Sequence, residues 1–295
     1  MSERMPRAAV DASIDELRAE AMEWGRRPRG NGALYVAEHV VRAMRAYGWT
    51  IVIGAIGQPV LYLLGLALGL AALISVPITD ASGLAVPYVT FVAPALLMTA
   101  AIQVGTEEFT YPVMDGFKWR RFFFGFSASP ISPGQITTGV LLGASARIVV
   151  ASAGYYLFIW LFGLVFPPGP LLTPETGWIA IAVGVLGGWA FGAPLMAYAA
   201  SIEEDKGQFA LVQRFVFMPM FLFSGTFYAL DTLPVWLQWI GWISPLWHAT
   251  DLGRTLMYGR PTDPALLAVH LAYLVVLAVV GYVLARRVFA RRLAK

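Results

Sequence analysis

Cysteine is absent from the 295-residue chain. That removes disulfides, thiolate metal sites and a cysteine nucleophile. Charge is scarce: Asp, Glu, Lys and Arg make up 13% of the residues, against about 25% in a soluble domain. A 32.1 kDa globule cannot cover its surface with so little charge, which excludes an ordinary cytosolic enzyme. The 58% hydrophobic content excludes a disordered chain. No G-x-x-x-x-G-K-[ST] loop occurs, so the chain has no P-loop for ATP. His39, His248 and His270 are too scattered for metal-ligand spacing. No aspartate-rich motif lies in an apolar stretch, and no repeat or inverted pair of halves suggests a repeat-built carrier.

What the chain does have is apolar length. A membrane span needs roughly 20 predominantly apolar residues. Six stretches qualify, at about 50–76, 86–106, 135–166, 178–202, 212–230 and 265–285. The fold class read from them is an all-α polytopic membrane protein. Small residues such as Gly65, Gly69, Gly184, Gly187, Gly188 and Gly192 allow close approach of such helices.

Basic residues are unevenly placed. One side of the six-span arrangement holds the N-terminal segment, Lys118, Arg120, Arg121, Lys206, Arg214, Arg286, Arg287, Arg291, Arg292 and Lys295. The other side holds only Arg254 and Arg260. The positive-inside rule then places both termini in the cytoplasm.

The N-terminal 32 residues are polar and lack a signal-peptide pattern. They read as a cytoplasmic extension, with a helix over Asp11–Arg27 stopped by Arg29-Gly30-Asn31-Gly32. Asp11 and Asp15 read as a solvated helix face. Next, Val36, Val40, Met44 and Tyr47 recur at helical spacing, widened by Leu34 and Val41, with Glu38, Arg42 and Arg45 opposite. This amphipathic helix lies in the membrane interface or packs on another protein. Residues 231–258 are apolar but carry Trp236, Trp239, Trp242 and Trp247, broken by Pro234 and Pro245. Tryptophan prefers the interface, so this stretch reads as a re-entrant helix pair on the outer face.

Chemistry-bearing residues are few. Gly143-Ala144-Ser145-Ala146 with His270 is a poor match to an intramembrane serine protease, and small residues in a span serve packing. Arg147 stands alone inside a span; it snorkels to the cytoplasmic interface or attracts an anionic group. The loop at 107–134 is the most informative polar region. It runs from Glu107-Glu108 through Tyr111–Asp115 and Phe117-Lys118-Trp119-Arg120-Arg121 to Ser129-Pro130-Ile131-Ser132-Pro133. Exposed aromatic and arginine side chains dominate interfaces, and they also anchor loops to anionic lipid. Both readings stand. Glu203, Glu204 and Asp205 form a second charged loop on the same side.

The chain resembles the permeases of type 2 ABC exporters, most of all the Nod-factor and lipooligosaccharide branch together with the daunorubicin exporters. The resemblance is carried by Phe221-Leu222-Phe223-Ser224-Gly225-Thr226-Phe227, then Leu233-Pro234-Val235-Trp236-Leu237, then Ser244-Pro245-Leu246 with His248-Ala249 ahead of Arg254. Ser129-Pro130-Ile131-Ser132 before the third span and the amphipathic helix before the first complete it, over roughly residues 33–290.

The resemblance implies a transmembrane unit at 33–290 between the polar extension (1–32) and a basic tail (291–295). That unit has six spans, an N-terminal interfacial helix and an outer re-entrant pair between helices five and six. It implies a coupling segment of Tyr111, Asp115, Phe117, Lys118, Trp119, Arg120 and Arg121 that docks on a separate ABC ATPase, with Glu203, Glu204 and Asp205 beside it. Glu107, Glu108 and Arg147 would form a cytoplasmic mouth. Ser224, Gly225, Pro234, Trp236, Pro245 and His248 would form an outer gate, and Phe217, Phe221 and Phe227 would line the substrate path. The expected partners are ATPase subunits, a second copy or related permease, and membrane lipid; nucleic acid is not expected. ATP and Mg would bind the ATPase, with no cofactor and no catalytic or metal residue on this chain. The expected location is the bacterial cell membrane, and the expected cargo is an amphiphile: a lipid-linked or lipidated glycan, or a hydrophobic drug. Two other readings remain at this point. One is a membrane enzyme acting on lipid, which needs a polar cluster near the membrane. The other is an ion-coupled carrier, which needs buried ionisable groups.

Overall fold

The computed structural model describes residues 7–65, 69, 77–79, 82–165 and 173–294, and it is mostly helical. In order come α1 (Arg7–Trp24), α2 (Arg26–Met44), α3 (Gly48–Leu64), a ribbon of β1 (Ile78–Thr79) and β2 (Ala85–Val86), and α4 (Tyr88–Phe109). Then follow α5 (Tyr111–Phe117), α6 (Phe122–Ser127), α7 (Pro133–Val165) and α8 (Ala180–Ser201). Last come α9 (Gln208–Phe223), α10 (Val235–Trp242), α11 (Pro245–Tyr258) and α12 (Pro264–Leu293). The antiparallel two-residue ribbon, with Ile78 opposite Val86, qualifies the all-α expectation.

Among the described residues, five helices are long and apolar enough to cross a membrane: Arg29–Leu64, Tyr88–Phe117, Pro133–Val165, Glu175–Ser201 and Pro264–Leu293. The protein is a multi-pass membrane protein. The helix α12 has 30 residues, about 45 Å, against a hydrocarbon core of about 30 Å. Its outward face shows Val269, Val276, Val279 and Val280, while Leu274, Ala278, Gly281 and Ala285 point inward. Asp263 caps it, accepting from the Ala265 N–H at 2.8 Å, and Pro264 fits its first turn.

The stretch expected at 212–230 differs. The helix α9 runs only over Gln208–Phe223, about 24 Å, with a π-helical turn at Gln213–Phe217. Pro219 has no N–H for the carbonyl a turn earlier, which fits a widened turn just before it. After Phe223 the chain leaves the helix, and Gly225 adopts φ +74°. The far end of the first expected span lies outside the described residues.

The core forms around α4, whose side chains are buried along nearly its whole length. It packs on α7 and α8, and α8 packs on α12. Backbones meet closely where glycines face each other: a Cβ on Gly105 would sit 2.8 Å from the Gly188 carbonyl oxygen.

The helix α2 packs along the lower part of α7. A Cβ on Gly139 would lie 2.5 Å from the Ala33 carbonyl oxygen, and one on Gly143 would lie 2.6 Å from the Val40 side chain. Gly143 is thus a packing residue, as small residues in spans usually are. Val36 and Met44 are buried, while Leu34, Val41 and Tyr47 stay exposed. The helix stop expected at Arg29–Gly32 does not occur. The Gln135 side-chain amide donates to the Arg29 carbonyl at 2.7 Å, and the same side chain packs on Gly32. This tertiary contact holds the glycines helical.

Candidate functional site

Two polar regions lie at opposite ends of the bundle. One is the end with the basic C-terminal turns of α12. The other is the end with the tryptophans of α10.

At the basic end, Glu107 and Glu108 come from the last turn of α4 and Arg147 from α7. Arg147 donates to Glu108 Oε1 and to Glu107 Oε2, each at 2.6 Å. The Glu108 side chain is 4% exposed, Arg147 20% and Glu107 46%. The structure therefore brings together the three expected mouth residues. Arg147 does not stand alone, because its charge is taken by two carboxylates. Removing one partner of a buried ion pair costs about 3–5 kcal/mol.

Just beyond, α5 and the turn that follows it carry the residues expected to couple, Tyr111 to Arg121, and α6 packs next to them. The inner face of this segment is Val113, Met114 and Phe117. The Phe117 ring lies 4.9 Å from Phe123 and 4.8 Å from Phe289 of α12. The Arg292 guanidinium covers the same ring at 4.6 Å and donates to the Ala200 carbonyl at 2.6 Å. Phe117 thus holds the segment in place from inside. Its outer face carries Tyr111, Trp119, Arg120 and Arg121. Lys118 is half-buried at the helix end. Arg120 Nε donates to Asp115 at 2.5 Å, and Tyr111 stacks on Trp119 at 6.4 Å.

The second charged loop adjoins it. Tyr111 meets Phe209 edge-to-face at 4.9 Å, a few residues past Glu203, Glu204 and Asp205. Asp205 accepts from the Gly207 N–H at 3.0 Å, and Lys206 pairs with Glu204 at 3.1 Å. The two loops thus present one continuous surface. Behind it, a cleft of about 500 Å³ opens between α2, α5 and α7, lined by Tyr47, Glu108, Tyr111, Trp119 and Phe122 among others.

At the tryptophan end, α10 shows Trp236, Trp239 and Trp242 outward, 71%, 53% and 48% exposed. Pro234 precedes it and Pro245 opens α11. Ser244 caps α11 by accepting from the Leu246 N–H at 3.1 Å. It also accepts from Ser224 at 2.7 Å, which ties the end of α9 to the α10–α11 corner. Arg254 donates to the Gly225 carbonyl at 2.6 Å and covers the Phe91 ring at 3.8 Å. The Ser224-Gly225, Ser244-Pro245 and Arg254 elements are thus one joint. Of the expected gate residues, Pro234 and Trp236 stand apart from that joint, on the exposed helix.

Sequence reading missed what lies beneath. Asp251, Arg254, Arg260, His248 and His270 are all buried together. Asp251 Oδ1 lies 2.6 Å from Arg260 and 3.8 Å from Arg254, and Asp251 Oδ2 lies 3.4 Å from His270 Nε2. His248 Nε2 faces the Trp242 carbonyl at 3.0 Å, and His248 Nδ1 faces His270 Nδ1 at 2.7 Å. The carbonyl can only accept, so His248 carries its proton on Nε2. When His248 is neutral, its Nδ1 accepts from His270. Arg254 and Arg260, read only as the two basic residues of the outer side, are thus buried with Asp251 and two histidines. The signal was available: His248, Asp251 and Arg254 recur every third residue, one face of a helix. Among the described residues, no group of three or more His, Cys, Asp or Glu is placed to hold a metal.

Ser145 donates to the Leu141 carbonyl at 2.6 Å and accepts from Trp189 at 2.8 Å; His270 is engaged elsewhere, so the two do not meet as nucleophile and base. Phe217 is buried and stacks on Phe221, which meets Phe227 at 5.0 Å. The three form a ladder against Phe191 of α8.

A multi-pass helical bundle with an aromatic-basic surface at one end and a proline-broken helix pair at the other defines a transport permease. The chain belongs to the ABC-2 type transporter family, whose profile matches residues 40–258. It is similar to Nodulation protein J of Rhizobium leguminosarum bv. viciae, 26% identical over 83% of this chain and 88% of that protein. Nodulation protein J of Bradyrhizobium diazoefficiens is 25% identical over 86% of this chain and 97% of that protein. A third relative is the Daunorubicin resistance ABC transporter permease protein DrrB1 of Streptomyces coeruleorubidus, 28% identical over 58% of each chain.

Proposed function

We propose that this ABC-2 permease is the membrane subunit of an ATP-driven exporter that moves an amphiphile out of the bacterial cytoplasm. The amphiphile is a lipid-linked or lipidated glycan, or a hydrophobic drug. The observation that carries the reading is the joined surface of Tyr111, Trp119, Arg120 and Phe209 on a chain without a P-loop. Such a surface fits a separate ATPase, and the daunorubicin-resistance relative is named as an ABC transporter permease. ATP and Mg then belong to that ATPase.

In this reading the basic end is cytoplasmic, because Lys and Arg gather there. Both termini lie inside, in the polar segment 1–32 and the basic tail 291–295. The membrane unit spans 33–290 and crosses six times, with α9 as the short fifth crossing. The helix α2 lies at the inner interface, held by α7 from above. The α10–α11 pair re-enters from outside, its tryptophans at the headgroup level. Glu107, Glu108 and Arg147 stand at the inner mouth, and Ser224, Gly225, Pro245 and His248 at the outer gate. The ladder of Phe217, Phe221 and Phe227 flanks the path of the apolar tail, beside an apolar cavity of about 480 Å³. A second copy or a related permease completes the path.

The test is co-purification from mild detergent with an ABC ATPase, followed by transport in sealed vesicles. Export that needs ATP and stops with a hydrolysis-deficient ATPase supports the reading. Transport by this chain alone, driven by a proton or sodium gradient, defeats it.

A further inference from the structure

We propose that the groove between α3, α4 and α7 is a hydrated site for the uncharged, hydroxyl- or amide-rich head of the exported amphiphile. This deepens the exporter reading and rests on it. The groove encloses about 130 Å³ and is lined by Thr50, Gln58, Gln103, Glu107, Arg147 and Tyr155 among others. All six sit on helices long and apolar enough to cross the membrane. Polar side chains there are expensive against lipid and belong against a bundle interior or water. Eight residues of helix separate Arg147 from Tyr155, and eight separate Thr50 from Gln58. The polar lining therefore climbs about 12 Å from the ion pair into the membrane.

Several of these groups have hydrogen-bonding capacity left over. Gln58 donates to Gln103 Oε1 at 3.3 Å. An amide has two donors and an acceptor, and neither glutamine makes another hydrogen bond among the described residues. Tyr155 is 2% exposed, and its hydroxyl has no hydrogen-bond partner among the described residues. Buried hydroxyls are otherwise almost always paired; this one is closed off from the groove that its residue lines, and a head group reaches it by displacing the side chains around it. Space is kept by small residues: Gly54, Ala55, Ala100 and Ala151 line the same groove.

Charge selects the class of head group. The one cation, Arg147, is already held by Glu107 and Glu108. No free positive charge remains for a phosphate or carboxylate. The trio sums to one negative charge when both carboxylates are ionised, which repels anionic heads further, and the groups beside it with hydrogen bonds to spare are two primary amides and a phenol. They suit sugar hydroxyls or acetamido groups.

The natural lack of cysteine makes a direct test practical. A Cβ on Gly54 meets nothing within 4 Å, so Gly54→Cys fits the groove, and Val104→Cys is a second reporter beside it. Val150 and Leu157, exposed on the outer face of α7, supply lipid-facing controls as Val150→Cys and Leu157→Cys. The full-length protein, purified in lipid nanodiscs, is treated with a charged methanethiosulfonate, which reacts with a thiol only where water reaches it. The groove thiols are expected to react and the controls to stay inert.

Dodecyl maltoside at about ten times its Kd should then slow the groove reaction roughly tenfold by mass action. Dodecyltrimethylammonium at equal concentration should not. Gln103→Leu or Tyr155→Phe, added to the Gly54→Cys reporter, should abolish the protection while the thiol stays reactive. Groove thiols as inert as the controls would overturn the proposal. So would protection by the cationic amphiphile alone, or protection that survives both substitutions. Labelling needs no ATP turnover, so these outcomes are read separately from failure of the exporter reading, which shows as absence of ATP-dependent transport.

Discussion

Residue by residue, the buried charges matter most, because each is held by groups far away in the chain. Arg147 is the clearest case: Glu108 is buried against it and cannot be rehydrated if it leaves. Arg147→Met is expected to lower stability by about 3–5 kcal/mol. Adding Glu108→Leu should recover much of that, because it removes the stranded carboxylate. Thermal melting of the two single variants and the double in nanodiscs measures the coupling; simple additivity would show that the pair does not interact. At the other end, Ser244→Ala removes both the α11 cap and the acceptor for Ser224. A loss of about 1–2 kcal/mol is expected. Ser224→Ala keeps the cap and should cost less, so the same melts with the order reversed would contradict the geometry. Sequence reading reached Ser224, Gly225 and Pro245 as a linked motif through resemblance. It missed the Asp251 cluster, because His270 and Arg260 join it from other segments. Spacing along one helix reveals His248, Asp251 and Arg254, and nothing local reveals what they meet.

Among the elements, the contact of α2 with α7 is the most exposed to a single change. Gly139 and Gly143 let α2 approach until its backbone touches α7. Gly139→Val must push α2 away, since the nearest atom is a backbone oxygen that cannot rotate aside. Trypsin should then cut faster at Arg42 and Arg45, with Leu142→Ala, on the outward side of the same helix, leaving the rate unchanged. Equal rates in both variants would mean that α2 is held by something else. The positions of α4, α7, α8 and α12 were legible from the sequence because bilayer thickness dictates their length. The early end of α9 was not, because Gly225 is fixed by Arg254, 29 positions later. Nor was the continuity of α2 through Gly30-Asn31-Gly32, which depends on Gln135, 106 positions from Arg29. Local propensity set the wrong stop in both places, and tertiary contacts overrode it.

For the whole molecule, the proposed exporter would have to carry movement from the basic-end surface to the far joint, about 45 Å along α12. Tyr111 and Trp119 face out, while Phe117 is clamped between Phe123, Phe289 and Arg292. In the exporter reading, a push on this segment would reach α12 through the Phe117–Phe289 contact. α12 in turn supports α8 along its length and meets α11 at the far end, and His270 on α12 touches the buried cluster there. The outer-face and inner-face residues should separate in experiment. Trp119→Ala and Lys118→Glu leave that clamp intact, so yield and membrane insertion should match the parent. If the surface is a hot spot worth about 2 kcal/mol, ATP-driven efflux should fall roughly thirtyfold at limiting ATPase. Phe117→Ala, by contrast, opens a hole in the packed core and should reduce folded yield as well as transport. Efflux in vesicles and fluorescence-detected gel filtration, run on all three variants, resolve the matter. Parental efflux in Trp119→Ala and Lys118→Glu together would show that the partner ATPase pushes somewhere else.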